Sequence, residues 1–455
     1  MSVKVIADGF ITLLIKRLAG PFWIRRRWLE KTQWYTSYEL EGLQLRLLKR
    51  LVRHCYNTVP YYHELMDKHG IRVEDVKTLD DIKLFPILTK EHILQAGDSI
   101  KSTRYPAWIT RVAYTGGTTG TPMKLRRDIF SIANEHAFVR RQWDWAGIGF
   151  RDRCAYLTGR IIVEPDRKTG PLYAYDPIMK ELILSTYHLS RYTAKEYAAV
   201  IENYGAKAIV GYPSAVYLLA RTCLDSKIRL TFKSVLTSSE TLTESMRSTI
   251  AEAFECKVFD FYGSAERVCY IFTCEHGHYH IIPEYGLTEL IPIDGPDDKR
   301  HRIVSTGFWN MAMPLIRYDM GDVVLKSNDI CPCGREFRVI ESISGREADI
   351  VKTPSGRQFG AAILTHLLYG TNNIVESQII QDALEHITIE YVPGEGFSAV
   401  DRSNLETLVT RHLPSELKVD LREVEAVKRT QSGKIRPVVS QIMSLDHLQE
   451  STNEG

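Results

Sequence analysis

The sequence predicts an α/β protein: a large N-terminal domain of several subdomains, with sheets flanked by helices, and a small α+β C-terminal domain. Three observations carry this. The 455 residues exceed what one core usually organises. Between residues 182 and 261, short apolar runs alternate with helical patterns, as in a sheet covered on both faces. Past Gly345 the pattern shifts to two strands, a helix and a final strand.

In chain order, residues 43–62 place Leu43, Leu47, Leu48, Leu51 and Val52 at helical spacing and stop at Val59-Pro60. Residues 79–93 read as short elements around Pro86. A helix over 194–204, a buried strand over 206–211 and a helix over 213–224 follow, the last with proline at its favoured first position. Strands over 232–238 and 257–261 flank a helix over 242–254. Ligands in such sheets bind where strands end and helices begin. Gly211-Tyr212-Pro213-Ser214, Ser238-Ser239-Glu240 and Tyr262-Gly263-Ser264-Ala265-Glu266 occupy those ends. Residues 281–291, 301–306 and 322–325 read as strands of a more β-rich portion. The small unit has strands over 374–380 and 386–391, a helix over 403–413 and a strand over 422–427. The expected division is an arm over 1–31, a large domain over 32–344, a hinge over 345–348 and a lid domain over 349–455.

Composition excludes little. Hydrophobic content of 44% and charge of 25% are ordinary, and a net charge of +2 gives no support to a nucleic-acid partner. Eight cysteines without a secretory signal fit a reducing compartment, so a cytoplasmic location is expected. Residues 1–31 carry seven Lys/Arg against two Asp/Glu, with Phe22, Trp23 and Trp28 among them. That mixture suits either peripheral contact with the inner face of a membrane or a helix packed on its own domain. The sequence leaves the oligomeric state open, a homodimer included.

The most informative stretch is Tyr114-Thr115-Gly116-Gly117-Thr118-Thr119-Gly120-Thr121-Pro122. Glycines here permit close backbone approach, and threonine hydroxyls add donors, so the loop is a phosphate-cradle candidate. It is not a Walker A loop, because no Lys-Ser or Lys-Thr follows Gly120, and its glycines are misplaced for a dinucleotide turn.

Five segments in fixed order resemble the AMP-forming acyl/aryl adenylate ligase superfamily. They are the 114–122 loop, the aromatic-Gly-x-x-Glu element Phe261–Glu266, the segment Arg317-Tyr318-Asp319-Met320-Gly321-Asp322, the hinge motif Gly345-Arg346-Glu347-Ala348-Asp349, and Ser432-Gly433-Lys434. The Ser238-Ser239-Glu240 element, a helix, then Tyr262-Gly263-Ser264 is similar to the phenylacetate–CoA ligase-like branch, polysaccharide-biosynthesis-type members included. The resemblance covers roughly residues 47–440. It implies that the large domain is adenylate-forming and the lid mobile. It further implies that Thr115, Gly116, Gly117, Thr118, Thr119 and Gly120 hold the phosphates of ATP, and that Glu266 binds Mg²⁺. Asp322 would accept the ribose hydroxyls, Arg346 would reach ribose or phosphate, and Phe261, Tyr262, Gly263, Ser264, Ser239 and Glu240 would adjoin the nucleotide. Lys434 would bridge carboxylate and α-phosphate. Tyr212 and Gly211 are candidates for the acid pocket. Two departures stand out. Met123 separates Pro122 from Lys124, and Ala348 follows the hinge arginine by two with Asp349 next, so the pivot is either of them.

A separate donor set is Cys274, His280 and Cys331-Pro332-Cys333. Three thiolates and an imidazole form a closed structural Zn²⁺ set. His276 and His278 are alternative ligands, and the resemblance favours the Cys-x₅-His spacing, hence His280. The function expected is an ATP-dependent ligase that makes an acyl-adenylate and passes the acyl group to CoA. The alternatives are an amide- or ester-forming ligase acting on a sugar or amine, and a non-catalytic nucleotide-binding protein.

Overall fold

The computed structural model describes residues 20–114, 123–160, 162–163, 167, 170–293, 299–346, 350–354, 358–360, 373–394, 396–413, 416–430, 435–436, 438–440 and 442. The chain forms two compact units, one of residues 150–258 with 343–455, the other of residues 2–149 with 259–342.

In the first unit, strands run side by side in the order Ser234–Ser238, Ala208–Gly211, Cys154–Thr158, Glu181–Ser185, Tyr173–Asp176. The first four are parallel and the edge strand antiparallel. Cys154–Thr158 and Glu181–Ser185 are almost wholly buried, as parallel strands covered by helices must be. The Arg191–Tyr204 helix starts on a Ser190–Thr193 capping box and ends at left-handed Gly205. The Pro213–Asp225 and Glu244–Phe254 helices complete the cover, burying Val216, Leu219, Ile250 and Phe254.

The same unit carries a four-stranded sheet in the order Lys418–Glu423, His386–Pro393, Ile374–Ala383, Val438–Ser440. The Ala399–His412 helix packs its Leu405 and Val409 over Ile379, Ile387 and Ile389. It begins four residues before the sequence expectation, because Ser398 and Asp401 form a capping box. The expected strand over 422–427 lies instead at Lys418–Glu423, where its register with His386–Pro393 is set by His386 opposite Lys418. Only Val419 and Leu421 are half-buried there, so the apolar signal that locates a strand is weak.

In the second unit the strands follow the order Gly286–Pro292, Arg300–Gly307, Tyr318–Lys326, Val339–Arg346, Tyr279–Ile281, Tyr270–Thr273, Lys257–Gly263. The expected single strand over 281–291 is two strands, Tyr279–Ile281 and Gly286–Pro292. Pro283 cannot donate to a ladder, and Tyr285 N–H turns back to Ile282 O at 3.1 Å. The break delivers Glu284 into the interior, where Thr32 Oγ1 donates at 2.9 Å and Arg141 pairs with it at 2.7 Å.

The Gly20–Thr32 helix packs on the Ile129–Trp145 helix. Arg25 donates to Asn134 at 3.0 Å and lies 3.6 Å from the Trp309 ring centroid; burial pushes its pKa down to about 9. Arg26 pairs with Glu30 and Asp144, while Arg27 stays exposed. No helix among the described residues is long and apolar enough to cross a membrane.

Candidate active site and cysteine–histidine centre

The 114–122 loop falls, from Thr115 onward, outside the described residues, but its flanks are fixed. Thr110–Tyr114 and Lys124–Asp128 form an antiparallel ladder that sets Tyr114 opposite Lys124. Arg127, on the second of these strands, donates its Nε to Ala265 O at 3.2 Å. The loop's stem is thereby tied to the turn that carries Glu266.

That turn is shaped by close packing. A Cβ on Gly263 would stand 2.4 Å from the Tyr270 ring, so only glycine lets the strand pass there. Phe261 meets Tyr270 and Phe272 edge-on, each at 6.0 Å. The Ser264 hydroxyl is buried without a hydrogen-bond partner. Glu266 Oε1 accepts a hydrogen bond from the Tyr318 hydroxyl at 3.1 Å.

The Arg317–Asp322 segment shows why its residue types occur together. Arg317, at φ +52°, pairs through two nitrogens with Glu289 at 2.8 and 2.9 Å and donates to Phe85 O at 2.7 Å. Asp319 and Val323 flank a bulge, where four steps on this strand face two on the Arg300–Gly307 strand. Gly321 sits in the bulge at φ +67°, and its N–H is held by Asp319 at 3.0 Å. Within the bulge, Asp322 is buried and accepts from the Tyr262 hydroxyl. Burial and the Asp322 charge hold the Tyr262 phenol well above its ordinary value, so it stays a neutral donor. The structure thus joins the stem of the threonine loop, Glu266, Tyr262 and Asp322 in one unit. Arg317 and Tyr318 stood within the quoted segment without a role assigned to them, and Arg127 was not singled out by the sequence. None of the three has a partner visible in the chain.

In the first unit, Gly211 and Tyr212 belong to the packed sheet. A Cβ on Gly211 would meet Leu157 O at 2.8 Å, and Tyr212 is buried in the hydrophobic core. Ser239 adopts φ +72°. Glu240 Oε2 accepts from Ser214 N–H at 3.1 Å, and its Oε1 from Ile435 N–H at 3.1 Å. Lys434 lies outside the described residues, as do Glu347, Ala348 and Asp349, and nothing is stated of the Arg346 side chain. The stem of the Lys434 segment is ordered by Arg429 opposite Ile435 in a β-bridge. The buried Gln378 amide donates to Lys428 O at 3.3 Å and Arg436 O at 2.8 Å, and Arg429 pairs with Glu376. Gln378 was another residue the sequence did not mark.

The donor set Cys274, His280, Cys331 and Cys333 comes together, all four buried, with ligand atoms within 4.8 Å of one another. Cys274 Sγ lies 3.5 Å from Cys331 Sγ, and Cys333 Sγ 3.6 Å from His280 Nε2. A tetrahedron with Zn–S near 2.3 Å has edges of about 3.8 Å, so the spacing fits a zinc ion. The ring brought to the thiols is that of His280; His276 offers Cys274 Sγ its backbone N–H at 3.3 Å. His280 Nδ1 faces Phe337 O at 3.4 Å, leaving Nε2 toward the thiols, and burial pushes the imidazole down to about 4. Arg335, on the same loop, pairs with Glu275 at 2.8 Å and stacks 4.1 Å from Trp145.

Comparison with known proteins finds relatives in sequence and in fold. Residues 351–441 match the family of the CapK C-terminal domain. The chain is 25% identical over 358 residues to protein CapK of Staphylococcus aureus, covering 78% of each. It is 26% identical over 333 residues to a phenylacetate–coenzyme A ligase of Thermus thermophilus, covering 69% of this chain and 72% of that one. A 2-hydroxyisobutyryl-CoA ligase in the postadenylation state, in complex with 2-HIB-AMP, superposes with a TM-score of 0.70 at 19% identity, over 92% of this chain and 94% of the other. That likeness establishes the fold, which is that of the adenylate-forming ligases. The sequence relatives, CapK and the Thermus thermophilus phenylacetate–CoA ligase, are similar to the chain over 69–78% of its length.

Proposed function

We propose that the protein is an AMP-forming carboxylate ligase. An acid and MgATP give an acyl-adenylate and pyrophosphate, and the acyl group then passes to an acceptor, in the first instance the thiol of CoA. The supporting observation is the chain of contacts that links the loop stem through Arg127 to Ala265, Tyr318 to Glu266, and Tyr262 to Asp322. Three of the five resembling segments are thereby held together by named hydrogen bonds.

Joining two anions requires cationic and hydrogen-bonding groups where charge accumulates. The amides and hydroxyls of residues 115–120 bind the β- and γ-phosphates, and Glu266, oriented by Tyr318, offers one carboxylate to Mg²⁺. The ion's chemistry is to neutralise phosphate charge, and one carboxylate beside phosphates and waters is a coordination it commonly takes. Asp322, braced by Tyr262, accepts from the ribose. Lys434 is a compact mobile cation suited to touch carboxylate and α-phosphate together. Residues 349–455 then act as a lid that rotates about Ala348 or Asp349, withdrawing Lys434 and admitting the acceptor. Cys274, His280, Cys331 and Cys333 hold a structural Zn²⁺, closed to substrate because all four positions are protein ligands.

ATP–pyrophosphate exchange over a panel of carboxylic acids, phenylacetate included, tests the reading. Exchange with at least one acid is expected, and none with any acid, in zinc-replete protein, would sink it. A second reading, acyl transfer to an amine or hydroxyl of a sugar, draws on the similarity to CapK over 78% of the chain, a relative not named for a CoA activity. Screening acceptors with the active acid separates the two.

A further inference from the structure

Glu240 was expected to adjoin the nucleotide, and two of its hydrogen bonds hold the chain itself. Oε2 takes the N–H of Ser214, in the first turn of the Pro213–Asp225 helix, whose N-cap Tyr212 supplies no side-chain cap. Oε1 takes the N–H of Ile435, 195 residues away. One carboxylate therefore bridges two backbone donors from segments far apart in sequence. Ile435 directly follows Lys434 and pairs with Arg429 in a β-bridge, beside which Gln378 holds Lys428 O and Arg436 O and Glu376 holds Arg429. The turn that carries Glu240 also approaches the start of the hinge motif. A Cβ on Gly345, at the start of the hinge motif, would stand 3.4 Å from Thr241 Oγ1. Left-handed Ser239 is the point at which the chain leaves its strand to present Glu240 and Thr241 together.

We propose that Glu240 is a positioning residue, a latch that ties the chain at Ile435, next in sequence to Lys434, to the start of the Pro213–Asp225 helix and so holds the C-terminal lobe for adenylation. The proposal rests on the ligase reading above. Hydrogen bonds to a carboxylate are stronger than neutral ones, which lets a single side chain hold the chain there. One such contact is also weak enough to break in each turnover, as a lobe that must rotate requires. Because the lobe contributes a peptide N–H, the latch depends on the acceptor at 240 and on an N–H at 435, whatever the side chain there.

Hydrogen exchange of the full-length, ligand-free protein tests the latch without substrate. In Glu240→Ala, residues 428–436 should exchange roughly 10- to 100-fold faster than in the wild type, with residues 374–393 unchanged. Glu240→Gln, which keeps one acceptor, should fall between the two. Wild-type exchange over 428–436 in Glu240→Ala overturns the proposal. Since Glu240 also engages the helix start, Ile435→Pro is the second variant, removing the lobe-side donor and leaving the Ser214 donor in place. Labels at the exposed positions Val400 and Lys227 should then show a broadened distance distribution, with exchange over 213–225 unaltered; an unbroadened distribution overturns the latch. Where an active acid is found, Glu240→Ala should lower kcat for pyrophosphate release about tenfold with KM for MgATP nearly unchanged. A rise in KM alone would return Glu240 to nucleotide binding and remove the latch. Failure of the acid panel would leave the exchange result standing, so the two failures are distinct.

Discussion

The strand bearing Asp322 and the segment around Ile435 are held in opposite ways. Tyr318–Lys326 lies inside a sheet, and its motif is fixed on all sides: Arg317 by Glu289 and Phe85, Gly321 by Asp319, Asp322 by Tyr262. Around Ile435 the chain is held by Gln378 within its own sheet, and beyond that sheet the Ile435 N–H is met by the Glu240 carboxylate. On the proposed reading, a group that reads ribose need not move, so many buried contacts suit it. A lysine that must arrive and withdraw is better served by few contacts that can release. The cysteine–histidine centre belongs with the first kind, being buried and four-cornered.

Variants sharpen this contrast. The largest effect is expected from Lys434→Ala, which should cut pyrophosphate release by on the order of 10²- to 10³-fold with the unfolding midpoint unchanged. A comparable loss of folding in that variant would make the lysine structural. Next, Cys331→Ser should abolish stoichiometric zinc in freshly purified protein and lower the melting temperature by roughly 5–10 °C. Metal analysis and a thermal melt read both, and a wild-type melt would show that the four side chains need no ion.

Tyr262→Phe leaves the Asp322 carboxylate without its phenol donor. It should cost about 1–2 kcal/mol, seen as a roughly 5- to 30-fold rise in KM for ATP. An unaltered KM would place the ribose elsewhere.

The smallest effect belongs to the lobe. His386 bridges Asp382 at 2.6 Å and Asp420 at 3.1 Å, and these two carboxylates raise its pKa above the usual 6.5. The staple is fully present below that usual value and is lost as pH rises through the raised one. Asp382 is lowered by the same contact, so its share persists until pH falls through the lowered carboxylate value. Exchange near residues 382–386 and 418–420, corrected for intrinsic chemistry, should therefore be faster at pH 9 than at pH 6. His386→Gln should abolish the difference.

Much of the first unit was legible. The helices at Arg191–Tyr204, Pro213–Asp225 and Glu244–Phe254 carry their apolar stripe and stop signals in the chain itself. The central strand Cys154–Thr158 was not marked, because five residues between loops give no period to read. Residues 281–291 misled for a different reason: apolar residues at both ends read as one strand, while the turn at Pro283 places Glu284 against partners distant in the chain.

The sequence by itself determined the motifs whose chemistry is local: glycine and threonine crowded into one loop, two cysteines one residue apart, a proline opening a helix. It also determined the order of five such segments, and with it the resemblance to the adenylate-forming ligases. Only the tertiary structure decided which imidazole meets the thiols, why Gly263 must lack a side chain, and that Glu240 faces a peptide 195 residues away. Such pairings depend on sheet register and on chain paths between elements, and no local periodicity encodes a distance of that kind.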